Sequence, residues 1–193
     1  MSTLDRNGIP EFGTLFTCFS MDKRGRIAVM VNNSILQLRG RPVLMKFVYL
    51  LSTELKSNPE YVMQVQRLTL DQSKPFIGLK GTHGLFGSKE WWENITQGKL
   101  RLLHRSGTIT RTYVAGQDPS PVDNGFSLLL DDGSVIEESI YSHIDDEDKK
   151  LFRPGARVDI VYALDELKRT SANGDKCYSD IVLEIAISLQ PIK

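Results

Sequence analysis

Residues 125–141 read GFSLLLDDGSVIEESIY, two runs of apolar and β-branched residues on either side of Asp132-Gly133. Asp-Gly between two such runs is among the strongest local hairpin signals, because glycine supplies the positive φ that a tight turn demands. Working outward from this hairpin, residues 99–104, 108–115, 158–163 and 179–189 carry the same signature, with Ser106-Gly107 reading as a second turn pair. Six short strands at roughly even spacing suit a small antiparallel barrel of the OB or SH3-like kind over residues 99–193.

The first part of the chain reads differently. Residues 13–20 and 26–31 form a predicted hairpin around Asp22 to Gly25, followed by a short strand at 35–38. Leu44, Phe47, Val48, Leu51 and Leu55 then fall on one helical face, Pro42 suits a first helical turn, and a helix over 42–57 is expected. Asn58-Pro59 should stop it, and Val65 between Gln64 and Gln66 suggests a strand over 61–70. The reading is an α+β protein: a β-β-α-β unit over 1–77, a glycine-rich linker and short helix over 78–98, then the barrel.

Composition bounds the function. The 193 residues are 40% hydrophobic and 25% charged, the profile of an ordinary folded chain that needs no metal or disulfide as a staple. The N-terminal residues contain no signal-peptide core, and the apolar stretch at 42–52 is interrupted by Lys46, too short to span a bilayer. Cys18 and Cys177 stand far apart with no CxxC pair, so a cytoplasmic, reducing setting is expected. His83, His104 and His143 show no ligand spacing, and no metal or cofactor is expected.

Charge is distributed unevenly along a chain whose net charge is zero. Residues 1–100 hold 13 basic against 8 acidic side chains, and residues 101–193 hold 11 against 16. Between Thr112 and Asp148 ten acids occur without one Lys or Arg, which predicts an acidic surface on the barrel. Such a face attracts a basic protein partner or, given the opposite charge of the first half, a second copy of the chain. Glu137, Glu138, Asp145 and Asp146 are the candidate acidic contacts. Glu137 and Glu138, adjacent on a strand, should point to opposite faces. Phe126, Tyr141 and one of Trp91 or Trp92 are the candidate aromatic anchors, the other tryptophan belonging in the core.

Two other functions compete with a non-catalytic binding module. Gly78, Gly81, Gly84 and Gly87 precede a predicted helix capped by Ser88, so backbone N–H groups with Lys80, His83 and Lys89 could hold a small anion, as an enzyme acting on an anionic substrate or nucleotide would require. The pattern is neither a Walker A loop nor a dinucleotide fingerprint, and glycines serving a tight connection explain it more simply. The basic residues Lys23, Arg24, Arg26, Arg39, Arg41 and Lys46 could meet a phosphate backbone, but the acidic barrel would repel it, which disfavours nucleic acid.

Overall fold

A computed structural model describes residues 34–116, 122–141 and 146–192, together with the backbone of 18–21 and 27–30; for residue 146 only the backbone is described. Contacts divide the chain into a unit of residues 1–35 and a unit of residues 36–193. In the first, β1 (Cys18–Met21) and β2 (Ile27–Met30) pair antiparallel with Cys18 opposite Met30, the hairpin that the sequence predicts.

The second unit is built on one six-stranded antiparallel sheet in the order β3-β8-β7-β4-β5-β6. Its strands are β3 (Met45–Leu50), β4 (Leu102–Tyr113), β5 (Gly125–Leu130), β6 (Val135–Ser139), β7 (Arg157–Thr170) and β8 (Lys176–Ser188). Three helices, α1 (Leu51–Ser57), α2 (Pro59–Leu70) and α3 (Lys89–Thr96), complete the α+β architecture among the described residues. The sheet is strongly curled. Neighbouring strands lie about 4.8 Å apart, so in a flat sheet β6 and β7, with two strands between them, could not touch. Yet the Tyr162 hydroxyl on β7 donates to Glu138 on β6 at 2.5 Å. Tyr49 on the edge strand β3 lies with its ring 5.0 Å from that of Tyr141, just beyond the opposite edge. The two edges thus approach each other, and the sheet is barrel-like.

Alternation along the strands sets two apolar layers. Inside the curl, Ile109, Phe126, Leu128, Val158, Ile160, Ile185 and Ile187 are essentially inaccessible, with Phe152 closing against Phe126 at 5.4 Å. The other face of the long strands is also covered. Nine consecutive residues of β7, from Val158 to Glu166, are buried, as in a central strand with cover on both sides. The Trp91 indole of α3 is wholly buried and donates to Asp165 on β7 at 2.8 Å.

The hairpin at Asp132-Gly133 forms as read. Gly133 has φ 85°, its N–H reaches the Leu130 carbonyl at 3.0 Å, and the Leu130 N–H reaches the Ser134 carbonyl at 2.8 Å, a three-residue loop closed by a left-handed glycine.

Four local expectations fail. Residues 35–38 form no strand, because the Leu36 N–H is taken by the Glu184 carboxylate on β8 at 2.8 Å instead of by a neighbouring strand. The segment expected as one helix over 42–57 is strand up to Leu50 and helix after it, leaving Leu44 74% exposed. Its apolar offsets match a helical face, but Met45 to Leu50 pair with Ser188 to Glu184, and no local pattern reveals a partner at the other end of the chain. Residues 61–70 are helix, because Asn58 and Pro59 begin a helix instead of only ending one: the Asn58 side chain accepts from the Tyr61 N–H at 3.2 Å and Pro59 occupies the first turn. Ser106-Gly107 is not a turn but the middle of β4. A Cβ at Gly107 would lie 2.4 Å from the Leu129 carbonyl oxygen on β5, so this glycine permits a close backbone approach.

Candidate functional site

Curling brings a ring of tyrosines and carboxylates to the seam between β6 and β3. Glu138 is held on the inner side of β6 opposite Phe126, and Tyr141 follows where the strand ends. Tyr162 reaches Glu138 from β7, Tyr49 meets Tyr141 from β3, and Asp180 on β8 is near enough for its charge to act on both Glu138 and Tyr162. Tyr61 of α2, 43% exposed, influences Tyr49 and Tyr141 from the rim and packs edge-on to Phe86.

The electrostatics of this seam are one-sided. Burial raises Glu138 above the ordinary carboxylate range, Asp180 adds to the rise, and the Tyr162 hydrogen bond opposes it. Burial likewise raises the Tyr141 and Tyr162 hydroxyls, with Glu138 acting in the same direction on both. Among the described residues, no Lys or Arg contributes to the environment of Glu138, Tyr141 or Tyr162. The seam is a half-buried acid in an aromatic surround, with no Lys or Arg among the described residues to neutralise it.

Glu137 points to the other face, as adjacent strand positions require. It accepts from the Ser127 hydroxyl at 2.8 Å and from Arg111 at 3.3 Å, forming a ladder across β6, β5 and β4. Hydrogen bonds from Tyr113, Ser127 and Arg111 hold it below the usual carboxylate range.

Other candidates from the sequence are dispersed. Phe126 is fully buried in the inner core and Trp91 under α3, so neither offers surface to a partner; Trp92, packed against Trp91 at 4.8 Å, and Tyr141 are partly accessible. Asp145 and the side chain of Asp146 lie outside the described residues. The acidic run is also less uniformly exposed than its composition predicts. Asp148 is 3% exposed and takes Lys46 at 2.6 Å, while Asp131 pairs with Arg157 and Glu147 with Lys150. Partners elsewhere in the sequence make burial of Asp148 affordable.

The glycine segment and the basic patch have internal partners. Gly78, Gly81, Gly84 and Gly87 all have positive φ, and a Cβ at Gly84 would lie 3.0 Å from the Trp91 nitrogen, so the segment winds tightly against α3. Lys80 pairs with Glu166 at 2.6 Å and Lys176 with the same carboxylate at 3.0 Å, holding Glu166 down at about 2. The Ser88 hydroxyl accepts from the Trp91 N–H at 3.2 Å, Lys89 pairs with Glu93 at 3.5 Å, and the His83 carbonyl accepts from Asn94 at 3.1 Å. Of the basic residues, Lys23, Arg24 and Arg26 lie outside the described residues, whereas Arg41 reaches buried Asp159 at 3.0 Å. No group of three or more metal-binding side chains occurs among the described residues, and no described helix is long and apolar enough to cross a membrane.

Tyr49, Tyr61, Tyr162 and Asp180 were not legible as site residues. Tyr49 and Tyr141 meet only through the curl, across 92 positions of sequence, and Tyr61 reaches the rim because its segment is helix.

A protein-family profile described as "Immunity protein RhsI2" matches residues 45–188. The match begins at the first residue of β3 and ends at the last residue of β8, so it spans the six-stranded sheet and its helices and covers about three quarters of the chain. No curated protein matches the sequence.

Proposed function

The chain belongs to the RhsI2 immunity protein family, a protein-binding immunity module, and from that premise we propose that it docks a toxin through the acidic, tyrosine-lined seam at β6. The observation that carries the proposal is Glu138: a half-buried carboxylate among tyrosines, next to Asp180 and without a Lys or Arg beside it among the described residues. A Lys or Arg from a partner would supply the missing charge while stacking on Tyr141 or Tyr61, a geometry worth about 0.5–2 kcal/mol for the cation–π contact alone. Tyrosine brings large contact area at small entropic cost, which is why it recurs at interface hot spots.

A second copy of the chain fits this seam poorly. Two of the six basic residues that would complement it, Arg41 and Lys46, are directed onto buried Asp159 and Asp148. Surface ion pairs are worth only about 0–1 kcal/mol each, so charge asymmetry by itself would not hold such a dimer.

Inhibition of the purified toxin by the full chain tests the reading. Glu138→Lys, with an unchanged circular dichroism spectrum, should weaken inhibition at least tenfold, whereas Lys89→Ala should leave it within twofold. Full inhibition by Glu138→Lys would place the docking surface elsewhere.

A further inference from the structure

β6 is an edge strand with β5 on one side only. Leu130 and Ile140 donate to the Ser134 and Asn124 carbonyls respectively, both at 2.8 Å, which fixes the alternation of the ladder. The even-numbered residues of β6 therefore bond inward to β5, and Val135, Glu137 and Ser139 direct their backbone groups outward. The Ser139 N–H is taken by the Glu138 carboxylate. Val135 and Glu137 leave two N–H donors and two carbonyl acceptors facing away from the sheet, and both side chains are exposed, Val135 to 57%. Natural edge strands are commonly blocked by proline, charged side chains, a bulge or a covering segment. The sequence VIEES carries neither proline nor lysine, its pairing with β5 has no register shift, and its only charges are Glu137 and Glu138, which discourage an acidic strand and admit a basic one.

We propose that the toxin docks by adding an extended segment of its own backbone to the β6 edge, continuing the sheet. This rests on the docking surface proposed above and specifies how it is used. Alternate side chains of an added strand would point to the two faces of β6. One set would face the Glu138–Tyr141 seam, and the other would face the Glu137 ladder. Both faces present a carboxylate, so the segment that fits has a basic residue on each face. A second copy of β6 is the wrong occupant: full antiparallel overlap of two copies sets Glu137 opposite Glu137, and like charges directly opposite are destabilising.

Amide hydrogen exchange of the full chain, free and bound to the purified toxin, tests the proposal. The Val135 and Glu137 amides should exchange freely in the unbound chain and slow at least tenfold in the complex. Val135→Pro, which removes one outward donor and no charge, should weaken binding at least tenfold, while Val135→Ala should change it less than threefold. If the two amides exchange as fast in the complex as in the free chain while Glu138→Lys still abolishes binding, strand addition is wrong and the docking seam stands. If neither the amides nor Glu138→Lys responds, the seam itself is wrong and strand addition falls with it. The exchange measurement on the unsubstituted chain decides the matter even if Val135→Pro does not fold.

Discussion

Replacing Tyr162 with phenylalanine keeps a buried ring on β7 and deletes the donor that holds Glu138 at 2.5 Å. A hydrogen bond to a charged partner contributes about 1.5–3 kcal/mol, and one between neutral groups about 1 kcal/mol. Because Glu138 is only half-buried, the lower part of the charged range applies, and Tyr162→Phe should cost about 1.5–2 kcal/mol at neutral pH. The pH dependence has a definite sign. Burial raises the folded-state pKa of Glu138, so the group favours folding below its unfolded value and that contribution is lost as pH rises through the folded value. The Tyr162 hydrogen bond opposes this rise, so the variant's pKa climbs further and its deficit widens with pH. Urea denaturation at pH of about 4, just below the ordinary glutamate value, and at about 7, well above it, should show a deficit growing from about 1 kcal/mol to the full value. In thermal melts the neutral-pH loss corresponds to about 3–8 °C in a chain of this size. A deficit below about 0.5 kcal/mol, or one equal at both pH values, would refute the assignment of Tyr162 as the hydroxyl that holds an ionisable Glu138.

Trp91→Phe should destabilise the fold by about 2–4 kcal/mol in urea titrations, because the buried Asp165 carboxylate loses its indole donor while its other oxygen has no hydrogen-bond partner among the described residues; a loss under about 1 kcal/mol would contradict the role given to that bond. Gly107→Ala would place a Cβ 2.4 Å from the Leu129 carbonyl, so β4 and β5 must part, and circular dichroism should report an unfolded chain or a loss of at least about 3 kcal/mol. Glu166, held at about 2 by Lys80 and Lys176, should titrate there by NMR; its contribution to stability is present above the unfolded value of about 4.3 and fades as pH falls towards 2, and a midpoint near the ordinary carboxylate value would show the clamp absent in solution.

What the sequence made legible was local. Asp132-Gly133 declares its hairpin because a left-handed glycine between two strand-forming apolar runs has few other uses, and the opposite facing of Glu137 and Glu138 follows from strand geometry alone. What it concealed depends on distant partners. Met45 to Leu50 carry helical spacing and become strand because β8 is waiting at the far end of the chain. Asp148 belongs to a run that reads as solvated acid until Lys46 is placed on it. The acidic run contains the strand on which the docking proposal rests, but Tyr49, Tyr162 and Asp180 join Glu138 only through the curl of the sheet, which no spacing encodes. Asn58-Pro59 misled for another reason: the pair can end one helix and begin the next, and here it does both.

Titration calorimetry of the purified toxin against the full chain and its Glu138→Gln variant, across pH of about 4.5 to about 8, tests the docking seam most directly. If a cation from the toxin neutralises Glu138, binding at mildly acid pH releases the proton that burial helps this carboxyl retain, and affinity falls as pH drops through its raised pKa. The Glu138→Gln variant should bind at least tenfold more weakly at neutral pH and lose that pH dependence. Equal affinities for the two proteins across the whole range would contradict the claim that the toxin docks on Glu138.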